Sequence, residues 1–199
     1  MKLKNNSVRL CLLAGFLWLG PPQAMAATPS ASMLANTCAG CHGTGGVSNG
    51  PATPTIAGVS EEYFVDVMKA YQSGDRRSTI MGRIAKGYTE EEIKLLAKHF
   101  SSLKFQPASQ KADPKLAKKG AKLHDKYCEK CHADGGTSTE DDAGILAGQW
   151  RPYLKYTLSD FLAGKSEMPK KMRKRLKKLH KKKGDAGIQA LLEFYASRK

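Results

Sequence analysis

The feature that most constrains this chain is a five-residue pattern, Cys-x-x-Cys-His, that occurs twice. The first copy spans residues 38–42 (CAGCH) and the second spans residues 128–132 (CEKCH). A single copy of so short a pattern arises readily by chance, whereas two copies in one chain indicate a repeated site. Because two thiols and one imidazole recur together, the chemistry of that site must use all three side chains.

Residues 1–26 have the composition of a secretory signal. Basic residues stand at positions 2, 4 and 9, an apolar stretch runs from 10 to 19, and residues 24–26 (AMA) form a small-x-small cleavage site. The apolar stretch is too short to cross a bilayer of ~30 Å at ~1.5 Å per residue. We therefore predict export with cleavage, which removes Cys11, and a mature chain outside the cytoplasm with no membrane span.

The four cysteines of the mature chain admit three interpretations. Two disulfides or a zinc site are the usual ones for an exported chain. A disulfide within Cys-x-x-Cys closes a very small loop, and neither interpretation explains a histidine directly after each second cysteine. Covalent attachment of haem does, because both thiols form thioethers and the histidine lies beneath the iron. The residues predicted to hold two haem c groups are Cys38, Cys41 and His42, and Cys128, Cys131 and His132.

The two motifs belong to a longer internal repeat with an offset of 90 residues and no gap. We therefore predict two domains of one fold, residues 27–106 and 107–199. The segment 104–114 (KFQPASQKADP) is polar, contains two prolines and is predicted to be the linker. The matched residues are Cys38 and Cys128, Ala57 and Ala147, Gly58 and Gly148, Tyr63 and Tyr153, Tyr71 and Phe161, and Gly74 and Gly164.

The predicted fold class is all-α, because each unit shows helical periodicity between long loops. Thr89 and Glu92 form a capping box, and apolar residues follow from Ile93 at i, i+3, i+4 and i+7. The second unit repeats that spacing from Ile188, and Gly120 offers a position where its terminal helices can cross closely. Domains of this size with many glycines bury little surface, so we expect haem to form much of each core.

The second axial position of each iron decides its chemistry. A His/Met pair favours electron transfer at raised potential, while an open position favours reactions with small molecules. In the first unit, Met81 lies after the haem motif and ahead of the last helix, and is the favoured ligand. Met68 falls on the apolar face of the middle helix and is expected to be core, and Met33 lies on the proximal side of the motif.

Two methionines compete for the corresponding position in the second unit. The repeat offset carries Met81 to position 171, next to Met172 and three residues beyond Met168. We therefore predict Met172 as the ligand, with Met168 an open alternative because a Met-Pro turn presents its sulfur rigidly. Three histidines are weaker candidates, since buried or solvated histidines outnumber ligands: His99, His124 and His180.

A backbone carbonyl usually fixes the ring of a metal-bound histidine. In the first unit, Pro51 or Pro54 is expected to offer that carbonyl to His42. The second unit has no proline at positions 141 and 144, so the support is not expected to be identical.

Positive charge is concentrated in the second unit. Removing residues 1–26 lowers the net charge from +15 to +12; residues 27–106 have 8 basic and 7 acidic residues, and residues 107–199 have 22 and 11. Eleven Lys or Arg and one acid lie within residues 165–183. Such a run is either a solvated helix face or a surface that attracts an acidic redox partner or an anionic substrate. No motif accompanies it that would indicate nucleic-acid binding.

Several stretches outside the haem motifs carry a family resemblance. The stretches are CAGCHGT (38–44), SGDRRSTIMGRIAKGY (73–88), GAKLHDKYCEKCH (120–132), ILAGQWRPYL (145–154) and GDAGIQALLEFYAS (184–197). Together they resemble the dihaem cytochrome subunit of flavocytochrome c sulfide dehydrogenase. The resemblance implies two tandem class I cytochrome c-like domains in a periplasmic heterodimer with an FAD-containing subunit. That subunit would oxidise sulfide and pass electrons to the two haems, and then to a soluble cytochrome c or similar carrier. His42 and Met81 would ligate one iron, and His132 and Met172 the other.

The chain alone lacks the features of a flavin enzyme. It has no Gly-x-Gly-x-x-Gly fingerprint, no strand-helix alternation and no nucleophile-base pair. We therefore predict electron transfer without catalysis by this chain alone. A free dihaem shuttle serving a terminal oxidase is the alternative. A dihaem peroxidase is a third, and it would require one iron without a methionine ligand.

Overall fold

The computed structural model describes residues 29–139 and 143–198, and within those ranges the chain is helical and contains no strand. The predicted all-α class is confirmed, and the signal predicted at residues 1–26 lies outside the described residues. The helices are α1 (Ala31–Asn36), α2 (Ala39–His42), α3 (Glu61–Ser73), α4 (Met81–Ile84), α5 (Glu90–Ser101), α6 (Pro114–Tyr127), α7 (Ala133–Gly136), α8 (Arg151–Leu162) and α9 (Lys170–Ser197), with short 3₁₀ turns at Thr44–Gly46 and Ala85–Gly87.

Side-chain caps explain where the longer helices begin. The hydroxyl of Ser60 accepts a hydrogen bond from the backbone N–H of Tyr63 at the start of α3. Thr89 and Glu92 form both bonds of the predicted capping box at the start of α5. Asp113 caps α6, and Pro114 follows it as the first helical residue, where a missing N–H costs nothing.

The duplication seen in the sequence is visible in the backbone of the loops. The carbonyl of Gly46 accepts hydrogen bonds from the N–H groups at 56 and 57, and the carbonyl of Gly136 accepts them from 146 and 147. Each unit also has its own apolar core. The buried residues of the first include Leu34, Phe64, Met68, Ile93, Leu96 and Phe100. Those of the second include Tyr127, Leu154, Phe161, Leu179, Leu191, Leu192 and Tyr195.

Gly120 lets α6 and α9 cross at backbone contact, as predicted. A Cβ atom at this position would lie 2.0 Å from the carbonyl oxygen of Ala190 and 2.7 Å from the Cβ of Phe194. Because the obstacle is backbone rather than a flexible side chain, the two helices would have to separate to accept any larger residue.

We expect Gly120→Ala to destabilise the second domain by about 1–3 kcal/mol, the usual cost of overpacking. Alanine is the better helix former, so a loss of stability would isolate the steric effect. Chemical denaturation of the haem-loaded protein measures it. Gly87→Ala is the matched control, because nothing lies within 4 Å of its added Cβ. Equal stability of the two variants would contradict the close crossing.

Helix α9 is longer than the periodicity predicted. It begins at Lys170 and includes most of the basic run, with a break at Gly184, where φ is +58°. Glycine adopts this left-handed conformation at little cost. The part before the break is held by the buried side chains of Leu176 and Leu179, and the part after it supplies most of the second core.

The linker is irregular, as predicted, but it is fixed at the boundary between the two units. The N–H of Ala108 donates to the carbonyl of Gly148 over 2.7 Å, and the amide of Gln110 donates to the carbonyl of Gln149 over 2.7 Å. The linker therefore packs on the second unit before α6 begins. None of the helices within residues 29–139 and 143–198 has the length and apolar content needed to cross a membrane.

Candidate functional site

The first Cys-x-x-Cys-His motif lies on one helical turn. Cys38 precedes α2, and Cys41 and His42 lie within it. The N–H of His42 donates to the carbonyl of Cys38 over 2.8 Å. Residues three apart on a helix share a face, so both thiols project to the same side. Cys38 is half-buried, Cys41 is exposed and His42 is buried.

The ring of His42 is fixed by a backbone carbonyl. Its Nδ1 lies 2.9 Å from the carbonyl oxygen of Pro54 and donates to it, which leaves Nε2 for a metal. Of the two prolines considered from the sequence, Pro54 is therefore the partner and Pro51 is not. Burial lowers the pKa of His42, against the effect of the hydrogen bond to Pro54. The imidazole is accordingly held neutral, the form that binds iron.

The second motif reproduces the support with a different residue. Nδ1 of His132 lies 3.3 Å from the carbonyl oxygen of Gly144, whose position is 90 residues after Pro54. The two supports differ in residue type, as predicted. They do not differ in position, because each histidine donates to the backbone carbonyl of the matched residue, Pro54 or Gly144. His132 precedes α7 with φ −113° and ψ 70°, so this motif is less regular than the first.

Within the described part of the chain, no disulfide joins the four cysteines. Burial raises the pKa of the Cys38 thiol, and it also raises the pKa of the Cys128 thiol despite a hydrogen bond to Tyr195. In each motif the first cysteine is half-buried and the second is exposed. The donor set of each motif, two thiols and a neutral imidazole, fits a haem attached by two thioethers.

The predicted methionine ligands lie at helix starts. Met81 is the first residue of α4 and packs, half-buried, against the first core. Met172 lies in the first turn of α9, half-buried against the second core, and Met168 is buried two residues before that helix begins. Met68 is buried in the first core, as expected, and Met33 is exposed on α1.

The other three histidines have partners within the protein. His99 packs edge-on against Phe100, with 5.2 Å between ring centroids. His180 lies 3.0 Å from the carboxylate of Asp185 across the break in α9. His124 is fully buried, and both of its ring nitrogens are hydrogen-bonded, so it has none left for iron.

A buried polar network around His124 was not predicted from the sequence. Its Nδ1 lies 2.9 Å from the hydroxyl of Tyr195, and its Nε2 lies 2.5 Å from a carboxylate oxygen of Glu129. Glu129, inside the second haem motif, also accepts hydrogen bonds from the N–H groups of Asp134 and Gly135. Desolvation opposes its ionisation, but these hydrogen bonds outweigh it and lower the pKa of Glu129.

The network belongs to the second unit alone. The residues 90 positions before His124 and Glu129 are Leu34 and Ala39. Phe100 takes the place of Tyr195, since each of the two offers its carbonyl to a matching loop glycine. The polar replacements at repeat-matched positions were the sequence signal for this network. The two haem motifs are therefore held differently, the first by apolar packing and the second by hydrogen bonds.

A second cluster lies between the two units, where α3 faces α8. The guanidinium of Arg76 donates to the hydroxyl of Tyr153 over 3.0 Å, and its Cζ lies 5.5 Å from the ring centroid of Tyr71. Among the described residues, no carboxylate lies within ion-pair distance of Arg76. Partial burial opposes its charge, but the oxygens of Tyr153 and Tyr63 raise its pKa, so it remains a half-buried cation.

Direct hydrogen bonds join the two units beside that cluster. The side chain of Gln149 pairs with the backbone of Thr55 through both of its polar atoms, at 3.1 and 2.6 Å, and this pair is buried. The indole N–H of Trp150 donates to the carbonyl of Ser48 over 3.1 Å. Buried amide pairs are specific in geometry and costly to break. The units are therefore held in one relative orientation.

Two thiol-thiol-imidazole sites on a helical scaffold define the class of this protein. It is a c-type electron-transfer protein that carries two covalently bound haem c groups, one in each unit.

Comparison with known proteins agrees with that class. The sequence model of the family described as "Cytochrome c" matches residues 27–104. The chain is 44% identical over 93 residues to the cytochrome subunit of sulfide dehydrogenase of Chlorobaculum tepidum, across 45% of this chain and 84% of that protein. It is 29% identical over 154 residues to the thiosulfate dehydrogenase electron acceptor of Thiomonas intermedia, across 72% of this chain and 69% of that protein.

Among solved structures, the similarity to this chain covers both units. Reduced recombinant cytochrome c4 from Pseudomonas stutzeri superposes with a TM-score of 0.72 at 25% identity, covering 87% of this chain and 100% of that one. Given this likeness and the 44% identity over most of one relative, the chain belongs to the cytochrome c family.

We expect Arg76→Leu to lower the midpoint potential of at least one haem by some tens of millivolts, on the order of 1 kcal/mol. The physical reason is that a half-buried positive charge between the two units disfavours the ferric form of a haem iron on either side. A redox titration followed in the visible haem bands measures the change. Arg76→Lys keeps the charge and is the control. Equal potentials in the Leu and Lys variants would show that the charge of Arg76 has no such effect.

Proposed function

We propose that this chain is the periplasmic electron-transfer subunit of a sulfide dehydrogenase. It receives electrons from an FAD-containing subunit that oxidises sulfide, and delivers them to a soluble cytochrome c or similar carrier. The observation that supports this best is the pair of haem motifs on a chain that resembles the cytochrome subunit of sulfide dehydrogenase. The predicted signal at residues 1–26 supports the periplasmic location.

The residues proposed to hold the haems divide into attachment and ligation. Cys38 and Cys41 attach the first haem, and Cys128 and Cys131 attach the second. Bound in this way, each haem exchanges one electron at its iron. The proposed axial pairs are His42 with Met81 and His132 with Met172.

The protein's contribution is to fix the ligands and the distance between the sites. Pro54 and Gly144 orient the two histidines through their carbonyls. The buried Gln149–Thr55 pair holds the two units in one orientation, so electrons cross between them without domain rearrangement. Two one-electron sites on one chain suit a flavin, which releases two electrons.

A complex of the native protein tests this proposal. We expect the chain to purify with a flavin-containing partner, and sulfide to reduce both haems of that complex. The chain separated from its partner is the control, and we expect sulfide to reduce its haems at least 100-fold more slowly, because it has no site for two-electron chemistry. A complex with no flavin, or haems that sulfide reduces equally fast without the partner, would refute the proposal.

A free electron shuttle is the second candidate. It is favoured by the likeness to cytochrome c4, which extends over 100% of that chain. A monomer without flavin that reduces a terminal oxidase would support the shuttle. A peroxidase needs one open iron, and the proposed axial pairs with Met81 and Met172 leave none.

A further inference from the structure

We propose that the second domain carries a docking surface for a small, acidic, soluble redox protein. The surface consists of the exposed basic residues of α9 from 170 to 183, together with Lys126 and Lys130, and is called here the α9 basic surface. This inference rests on the proposed function, because it specifies the chemistry of the carrier that takes electrons from the chain. It also assigns the exit of electrons to the second haem.

The α9 basic surface is exposed and dense in charge. The buried side of this part of α9 is apolar and is anchored by Leu176 and Leu179. Within residues 170–183, nearly every side chain of α9 that faces water is a lysine or arginine and carries a positive charge. The exposed members on α9 are Lys170, Lys171, Lys174, Arg175, Lys177, Lys178, Lys181, Lys182 and Lys183.

Few acids neutralise this charge. Glu167, the single acid within residues 165–183, pairs with Arg173 at 2.6 Å. Asp185 lies beyond the break and bonds to His180. Like charges recur four residues apart along the helix, as at Lys174 and Lys178, an arrangement that destabilises a helix. A costly, uncompensated surface of this kind is expected where function requires it.

The surface lies beside the second haem motif. Nη1 of Arg175 donates to the carbonyl of Lys126 over 3.2 Å, which holds α9 against the end of α6 directly before Cys128. Lys130 lies between the two cysteines of the motif and is exposed, as is Cys131. The cationic side chains of α9 therefore lie next to the residues that would attach the second haem, where an acidic partner docked on them would be close to that haem.

The chemistry of the surface favours a transient protein partner. Among the described residues, the large exposed apolar side chains are Met33, Ile80, Ile84 and Tyr156, and none lies on α9. A permanent subunit interface is rich in apolar residues, and an interfacial membrane helix needs an exposed apolar face. A purely cationic face instead accelerates encounter with an acidic partner and releases it readily. The first unit, with 8 basic and 7 acidic residues, offers no such field.

Electron transfer to an acidic protein tests the proposal. The full mature chain with both haems is reduced with dithionite, and its oxidation by oxidised plastocyanin, a copper protein with an acidic face, is followed by stopped flow. The test variant is Lys174→Gln, Lys178→Gln and Lys181→Gln, which preserves helix propensity. The matched control carries the same loss of three charges in the first unit, at exposed positions: Lys86→Gln, Lys98→Gln and Lys104→Gln.

We expect the α9 variant to react about tenfold more slowly than wild type at low ionic strength, and the control by less than about twofold. The difference should vanish near 1 M salt, because the Debye length there is only ~3 Å and charges on the two proteins no longer attract each other at longer range. Titration calorimetry with plastocyanin should show the same loss of affinity. Equal slowing in both variants, or in neither, would overturn the proposal. So would an α9 variant that reacts normally but loses binding to phosphatidylglycerol vesicles, since the surface would then serve a membrane.

This experiment uses neither sulfide nor the flavin-containing partner. A negative result therefore rejects the docking surface and leaves the proposed function standing. Failure of sulfide to reduce the haems of the native complex rejects the proposed function and leaves the plastocyanin result unaffected.

Discussion

Cys128→Ser together with Cys131→Ser should give a secreted chain that carries one haem instead of two, with its second domain unfolded. A small domain with many glycines buries too little surface to be comfortably stable by itself, and the haem is expected to supply much of the missing apolar interior. Loss of the macrocycle is therefore expected to remove more folding free energy than the remaining contacts of the domain provide. Mass spectrometry counts the haems, and far-UV circular dichroism follows the lost helix.

The matching variant of the first motif, Cys38→Ser with Cys41→Ser, separates haem loss from misfolding of one particular domain. We expect it also to retain one haem, while α6 and α9 of the second unit stay folded. Gly120 and the buried hydrogen bonds of His124 stabilise that unit independently. A chain that keeps two haems after either double substitution would contradict thioether attachment at these cysteines.

Local sequence patterns predicted the parts of the fold that depend on near neighbours. The capping box at Thr89, the apolar face that follows it and the crossing at Gly120 are present as predicted, because each is decided within a few residues or by one missing side chain. The haem motifs were visible for the same reason, since both thiols and the imidazole lie within five residues.

Contacts between distant residues were not predicted. The pair between Gln149 and Thr55 spans 94 positions, and no periodicity marks a glutamine that will be buried against a backbone amide. The length of α9 was also missed, because a run of lysines has no apolar period until Leu176 and Leu179 are seen to face the core. The sequence narrowed the acceptor for His42 to the carbonyl of Pro51 or Pro54, of which Pro54 is the one used, whereas its equivalent at Gly144 was hidden by the change of residue.

The hydrogen bonds of His124 illustrate a structural signal that lies in the differences between the two units of the repeat. Comparing the two units position by position sets His124 against Leu34 and Glu129 against Ala39. A histidine in place of the buried Leu34 predicts a polar partner, since an imidazole is rarely buried without one, and the half-buried Glu129 is that partner. Differences between the copies of a repeat are therefore as informative as the matches.

Met172→Leu should remove the sulfur ligand of the second iron and lower the potential of that haem by about 0.1 V or more, within the ~0.8 V range that axial ligands span. Leucine keeps the apolar volume against the second core, so the domain should remain folded. The methionine-to-ferric-iron absorption band should fall to about half its intensity, because one of two haems keeps its ligand. A redox titration and the visible spectrum measure both effects.

Met168→Leu and Met81→Leu complete the test. Met168 is buried two residues before α9, so its loss should leave the absorption band and both potentials unchanged if Met172 is the ligand. Met81→Leu should halve the band through the first haem, and the double variant with Met172→Leu should abolish it. If Met168→Leu halves the band and Met172→Leu does not, the Met-Pro turn holds the second iron and the repeat offset has misassigned the ligand.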